Sequence, residues 1–514
     1  MHFRHLLLFA GLFLFLGCGQ KLATSGDHLG VVEFAVTGKQ EAQPMFQRGV
    51  LLLHSFEYED AADAFRKART LDPDFVMAYW GEAMTYNHPL WSYQDYESGD
   101  SILALLASSP DARVEKAVTD LEKDFITGVN ILYGTDTKTK RDSAYAEFMG
   151  QLYEKYPGNN EVAAFYSVAL IGSVPVGRDT KVYEHAAEVA KEVLARNPKH
   201  PGALHYLIHA YDDPDHASQA LETADAYAIV APDAGHALHM PSHIYVASGL
   251  WDKVVSSNEA SWAASVHRKE RLHLSNDALS YHAFHWLLYG YLQQGRTADA
   301  KKLVDSMQVY CDTLPSRGAR RHMIYLKTTY LVETSDYTGD VAEIEVPQND
   351  LNIATRALNH FVHGMNAFQM KDEAGLENVL TQMTAERLQD EEKISDNGAR
   401  FCGSVNGDTP NALDIEYAAI MELELKAMQA WQRNNIIDAE KFLKEAVDRE
   451  QSASYSYGPP SIVKPSYELY AEWLMENGRA KEALEQYKYA LKVFPNRRLL
   501  LQGKENAEKA LSIG

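Results

Sequence analysis

Seven histidines fall within the 44 residues from His200 to His243, in the segments HPGALHYLIHAYDDPDHA and GHALHMPSHIYV. His205 and His239 are 34 residues apart, and so are His209 and His243. Within each segment His205/His209 and His239/His243 are spaced i,i+4. On a helix that spacing puts two imidazoles on one face, where their ring nitrogens suit zinc, copper, iron or nickel. Asp212, Asp213 and Glu259 are carboxylates near enough in sequence to add oxygen ligands or to act on a metal-bound water. A mixed histidine and carboxylate set suits an open, reactive site better than a closed structural one.

Such a set needs elements that return the same side chain to the same face every 34 residues. The segment from Met45 supplies the pattern, with Gly49, Ala61, Phe65, Ala68 and Asp72-Pro73 at the close-packing, knob and terminating positions of a helix-turn-helix unit. Ala186 with Pro198 and Ala220 with Pro232 repeat it 34 residues apart. Tyr291, Gly295 and Ala300 form a further unit after an insertion of about a dozen residues, and Gly478, Ala483, Tyr487, Ala490 and Pro495 close the chain. Helical periodicity continues between these units, strand signals are almost absent, and Arg497 to Ile513 reads as a capping helix. The class is therefore all-α, one right-handed superhelical solenoid of antiparallel helix pairs.

This repeat places the histidines. Tyr86, Tyr211, Tyr245 and Tyr291 occupy the position of the first helix that packs on its partner helix. At about 100° per residue, His209 and His243, two residues earlier, lie about 160° away, and His205, His239 and His285, six earlier, about 120° away. His236 and His282, nine earlier, lie about 180° opposite. All seven face the concave groove. Asp212 and Asp213 sit at its edge, and Met240-Pro241 threatens to break the helix that carries His236 and His239. His54 and His88, also 34 apart, extend the groove, with Trp80 and Trp91 as an aromatic wall. His200 and His216 fall off the stripe and decorate turns, and His360 and His363 fit a packing face. Tyr455 to Pro465 reads as a rigid bent connector packed on the last unit.

The amino terminus reads as an export signal: Arg4 precedes the apolar run Leu6 to Leu16, too short to span a bilayer, and Gly17-Cys18 follows. Cys18 is then the lipidated first residue of a mature protein held at the cell envelope, most simply the outer membrane. Residues 1–17 are the signal, 18–44 a linker, 45–335 the solenoid with the histidine groove, 336–352 a loop, and 353–513 the carboxy-terminal repeats and cap. Cys311 and Cys402 are the only other cysteines, free to pair in an oxidising compartment. With 71 acidic and 49 basic residues, net −22, the chain repels phosphate backbones, which excludes nucleic acid as a partner. No serine-hydrolase elbow, phosphate loop or C-x-x-C motif occurs.

The motifs HPGALHYLIHAYDDP, GHALHMPSHIYVASGLW and HSFEYEDAADAFRKARTLDPDFVMAYWG resemble a family of bacterial tetratricopeptide-repeat proteins, many of them exported. The resemblance implies the fold and leaves the activity open. Length, lipid anchor and repeat content are also similar to the starch-utilisation type of glycan-binding outer-membrane lipoproteins, but the segment after Cys18 lacks their Phe-Leu-Asp stretch. The leading expectation is a lipid-anchored solenoid that binds a protein, peptide or small molecule in a histidine-lined groove, with a transition metal such as zinc or with no cofactor. A metal-dependent hydrolase or oxidoreductase using the same residues is the alternative.

Overall fold

The computed structural model describes residues 28–91, 93–395 and 410–513. Cys18, the export signal and Cys402 lie outside them, and Cys311 is a buried free thiol. The architecture is an all-α tetratricopeptide-type superhelix, its helices running from Gln43–His54 to Arg498–Ile513 with sequential neighbours packed on each other. The described residues contain one strand pair, Asn87–His88 with Tyr93–Gln94. None of the described helices is long and apolar enough to cross a membrane.

The first unit shows why this sequence makes this unit. In helix Tyr58–Leu71 the residues Ala61, Ala64, Phe65 and Ala68 form one apolar stripe, and all are buried. Phe65 is the knob. A Cβ on Gly49 would lie 2.7 Å from its ring and one on Gly81 2.3 Å, so both flanking helices, Gln43–His54 and Val76–Met84, need glycine where they clamp it. Asp72-Pro73 then ends the helix.

Three expectations change. The segment read as an amino-terminal linker is packed from Leu29 onward: Phe34 enters the core among Phe46, Trp80 and Phe125, because a buried phenyl removes more apolar area than an exposed linker could. The Met240-Pro241 break leaves the path intact. Helix Gly235–His239 ends and Pro241–Ala247 begins with proline in its first turn, while Met240 keeps helical angles of φ −53° and ψ −36°. His236 and His239 therefore stay on the stripe.

The third change concerns the end of the chain, which returns to the first half. Arg497 is buried between Glu468, at 2.8 Å, and Glu333, and also donates to the Tyr289 hydroxyl at 3.1 Å. Trp251 Nε1–H donates to the Asn496 carbonyl at 2.8 Å. The connector 455–465 thus packs over the histidine groove as well as beside the last unit. Gly458, at φ +79°, passes so close to Trp286 that a Cβ would lie 2.1 Å from the indole. The end of the chain returns to the first half, and the connector partly covers the histidine groove.

Candidate metal centre in the histidine groove

Two first helices of adjacent units carry the site. Helix Pro201–Ala210 presents His205 and His209, whose Nε2 atoms lie 3.1 Å apart; the segment Gly235–Ala247 presents His239 and His243, whose Nε2 atoms are also 3.1 Å apart. His236 joins the first pair and His282, from helix Tyr281–Gln293, the second. In each group of three, the ligand atoms all lie within 4.8 Å of one another, and a third set of His209, Asp212 and His243 joins the two groups. Ligands about 2.1 Å from a transition ion are separated by about 3.0 to 3.4 Å in octahedral or tetrahedral geometry, so the 3.1 Å spacing matches a shared ion.

The outer hydrogen bonds decide which nitrogens are free. His205 Nδ1–H donates to the His54 carbonyl at 2.7 Å, an acceptor without ambiguity. His239 Nδ1 faces Asn258 Oδ1 at 2.6 Å, and the amide orientation is fixed because Asn258 Nδ2 donates to the Val254 carbonyl at 2.8 Å. His243 Nδ1–H donates to Asp212 Oδ2. With Nδ1 protonated on His239 and His243, both neutral rings point Nε2 lone pairs at each other across 3.1 Å. Only a cation between them, a metal or an extra proton, makes that arrangement favourable. The outer partners fix ring orientation in the way that metal-ligating histidines require.

Burial disfavours the charged form of four of these imidazoles. His205, His209, His236 and His239 are held well below the ordinary histidine range by removal from water first and by neighbouring imidazoles second. Phe56 covers His205 at 4.2 Å between ring centroids, and Trp286 covers His243 at 4.4 Å. Two polar atoms at the site are buried without a hydrogen-bond partner: His236 Nε2 and Asp212 Oδ1.

The remaining expected residues go elsewhere. His285 donates to or accepts from Thr329 Oγ1 at 2.9 Å and sits beside Tyr325, its ring pushed down to about 3 by burial. The residue four further on, where a pairing histidine would stand, is Tyr289, so the repeat does not build a third pair. Asp213 is committed to Arg178 at 2.7 Å and to His216 Nδ1 at 2.9 Å. Glu259, next to Asn258 but about 100° further round the helix, is exposed and accepts from Tyr291 at 2.6 Å. Tyr211, Tyr245 and Tyr291 each reach a side chain of the preceding helix, Lys191, Asp225 and Glu259.

His54 and Trp80 are not groove residues. Trp80 is fully buried against Phe34, Phe125 and Phe165. His54 Nε2–H donates to Glu161 Oε2 at 2.9 Å, while its Nδ1 accepts from the Tyr206 hydroxyl at 2.9 Å. His200 caps its helix by accepting from the Ala203 amide, and its Nε2–H donates to Glu161 Oε1 at 3.2 Å. This closed set is geometrically able to hold an ion, but its hydrogen bonds are complete. Burial alone would raise the Glu161 carboxyl; His200 and His54 outweigh it and hold it below its usual range. The set joins three helices and fixes the His54 carbonyl that holds His205. His88 lies on the edge of the wall, stacked on Tyr58 at 3.7 Å, and Trp91 reaches His236 at 5.7 Å.

Sequence reasoning misses Asn258, Glu161, Trp286 and Tyr457. Asn258 lies on the helix that follows the second histidine motif, Trp286 shares the helix of His282 and His285 but has no metal-ligating atom to mark it, and Glu161 and Tyr457 arrive from distant segments. Tyr457 stands over His243 at 6.1 Å and His209 at 6.5 Å, its hydroxyl 3.3 Å from that of Tyr183. Under it a cavity of about 310 Å³ opens onto His209, His236, His243 and His282, walled by Trp91 and Trp286.

No family model matches the chain, and no curated protein matches it in sequence. Among solved structures, yeast Tom70 is similar at 10% identity over 92% of this chain and 90% of its own, with a TM-score of 0.32. The Cut9–Hcn1 hetero-tetramer of the APC/C is similar at 9% identity over 92% and 78%, with a TM-score of 0.37. YrrB, a tetratricopeptide-repeat protein with an unusual peptide-binding site, is similar at 18% identity over 38% and 90%, with a TM-score of 0.21.

Proposed function

We propose that the histidine groove is a transition-metal centre that binds a small ligand at the metal. The observation that carries this reading is the opposed pair His239 and His243, whose Nδ1 atoms are committed to Asn258 and Asp212 so that their Nε2 lone pairs meet at 3.1 Å. Neutral imidazole ligands favour zinc, copper, iron or nickel over calcium or magnesium. The ligand is small because the connector covers the groove: an extended peptide needs an open surface, and the covered space is about 310 Å³.

Elemental analysis of the purified protein, made without a polyhistidine tag, tests the reading. The expected result is at least one transition metal per chain that is lost in H239A/H243A. A wild-type chain that neither carries nor takes up metal overturns it and leaves a metal-free groove.

A metal-dependent hydrolase or oxidoreductase is the second reading. What favours it is Asp212, a buried carboxylate in the set that joins the two histidine groups, whose Oδ1 has no hydrogen-bond partner and is available as a proton acceptor.

The cell-envelope setting is part of the proposal. Arg4, the apolar run Leu6 to Leu16 and Gly17-Cys18 support a lipid on Cys18, so that the solenoid stands at a membrane surface, in the outer membrane. C18S should release the protein from the membrane fraction; a variant that stays membrane-bound with its leader uncleaved refutes the anchor.

A further inference from the structure

The geometry points to two ions, one in each three-histidine group, which together bind the anionic oxygen of one small flat aromatic ligand in the cavity beneath Tyr457. This rests on the metal-centre reading and deepens it.

The case for two begins with the repeat. The first group is His205, His209 and His236, the second His239, His243 and His282. In each, an i,i+4 pair on one first helix is completed by a histidine from the first helix of the next unit. His236 follows His205 by 31 residues and His282 follows His239 by 43; the extra 12 match the insertion that lengthens the second unit, whose helix Trp251–Leu272 runs 22 residues. The chain has duplicated a whole ligand set together with its helix pair. One ion could use either set but has no need of both.

The two sets adjoin. His209 and His243, one from each, lie with Asp212 inside 4.8 Å, their ring centroids 5.4 Å apart. The two candidate sites are thus close enough to share ligands, as paired ions about 3.5 to 4 Å apart do. Asp212, whose Oδ1 is buried and unpartnered, belongs to the joining set, and His236, whose Nε2 is likewise unpartnered, belongs to the first.

Charge then selects the ligand. Two divalent ions on six imidazole ligands face one nearby carboxylate, Asp212, itself hydrogen-bonded to His243, because Asp213 is bound to Arg178. The excess positive charge in a covered groove calls for an anionic oxygen. No lysine or arginine lines the cavity among the described residues, so the metals must hold that oxygen. The walls specify the rest of the molecule: Trp91, Trp286 and Tyr457 offer aromatic faces, with Leu90, Val174 and Val176 beside them. A cavity of about 150 Å³ accommodates benzene. The 310 Å³ here suits a substituted one- or two-ring phenolate or aromatic carboxylate.

The test is a Co²⁺ titration of the full-length, metal-stripped, untagged protein, read by visible d–d absorption. Wild type should break at two equivalents. H236A and H282A, which alter the two most accessible rings of the set, should each break at one, the second equivalent binding at least about tenfold more weakly. Circular dichroism at the wild-type level shows that both variants fold. The chromogenic probe 4-nitrocatechol should shift its spectrum on the two-cobalt protein and bind each variant at least about tenfold more weakly. A wild-type break at one equivalent, or two variants that keep two, overturns the two-ion inference while leaving the metal centre standing. Two bound ions without a response to 4-nitrocatechol overturn the ligand assignment. No cobalt binding overturns both the inference and the reading beneath it.

Discussion

Replacing Asp212 by asparagine separates a metal from a proton as the cation between His239 and His243. Asp212 is fully buried and its Oδ2 accepts from His243 Nδ1. In D212N the amide keeps the shape, but an amide N–H turned toward His243 lets the ring shift its own proton to Nε2. That proton then bonds to His239 Nε2 at 3.1 Å, which relieves the opposed lone pairs and occupies the position a metal would need. The metal-free variant should therefore be no less stable than metal-free wild type, and more stable by up to about 1 kcal/mol, because it gains a hydrogen bond where wild type has two opposed lone pairs. Its zinc affinity should fall about 10- to 100-fold, or about 1.4 to 2.7 kcal/mol, the usual cost of losing a carboxylate behind a metal-ligating histidine. Competition against a chromogenic zinc chelator measures the affinity, and melts with and without zinc should show the metal-induced stabilisation shrinking by the same amount. If the cation is instead a proton, His243 and Asp212 form a buried ion pair, and D212N should destabilise the metal-free protein by about 3 to 5 kcal/mol. That result, or unchanged zinc affinity, refutes the argument.

Three further outcomes follow from groups outside the centre. E161Q offers one oxygen to the two N–H donors of His54 and His200, leaves a donor facing a donor in a buried site, and should lower stability in urea by about 2 to 3 kcal/mol. R497M leaves Glu333 and Glu468 buried with less compensation, so unfolding should become easier by about 3 kcal/mol and limited proteolysis should open the return of the chain near Pro495. Glu450 accepts from the Ser466 amide, yet burial raises its carboxyl from 4.5 to about 7. The folded state holds that proton more tightly than the unfolded chain, so this stability is complete below about pH 4.5 and lost as pH rises through 7. After discounting for solvent near the group, E450Q should be more stable than wild type by about 1 to 2 kcal/mol at pH 8 and no different near pH 4, measured by thermal melts.

The histidine stripe is legible in the sequence because both rules that place it are local. A 34-residue period brings helices side by side, and about 100° per residue chooses the face, so His205, His209, His236, His239, His243 and His282 are found without any distant contact. The same rules fail where a neighbour competes for a side chain. Asp213 has the right angle but Arg178 takes it, and Glu259 has the right helix but Asn258 holds the inward position. His54 shares the 34-residue spacing with His88, yet Glu161, 107 residues away, draws it into the core. No pattern within one repeat encodes that partner.

What turns an open solenoid groove into a site is also the least local part of the chain. Tyr457 and Gly458 reach the cluster from more than 200 residues beyond His243, and Arg497 anchors their return on Glu333 and Tyr289. Without that cover the imidazoles would be bathed in water, their lone pairs would hydrogen-bond to solvent, and the opposition at His239 and His243 would carry no cost. With it, His205, His209, His239 and His243 are buried, and the favourable occupant between the opposed lone pairs of His239 and His243 is a cation. The ligand set is written in the repeat, but its demand for a cation is created by the closure.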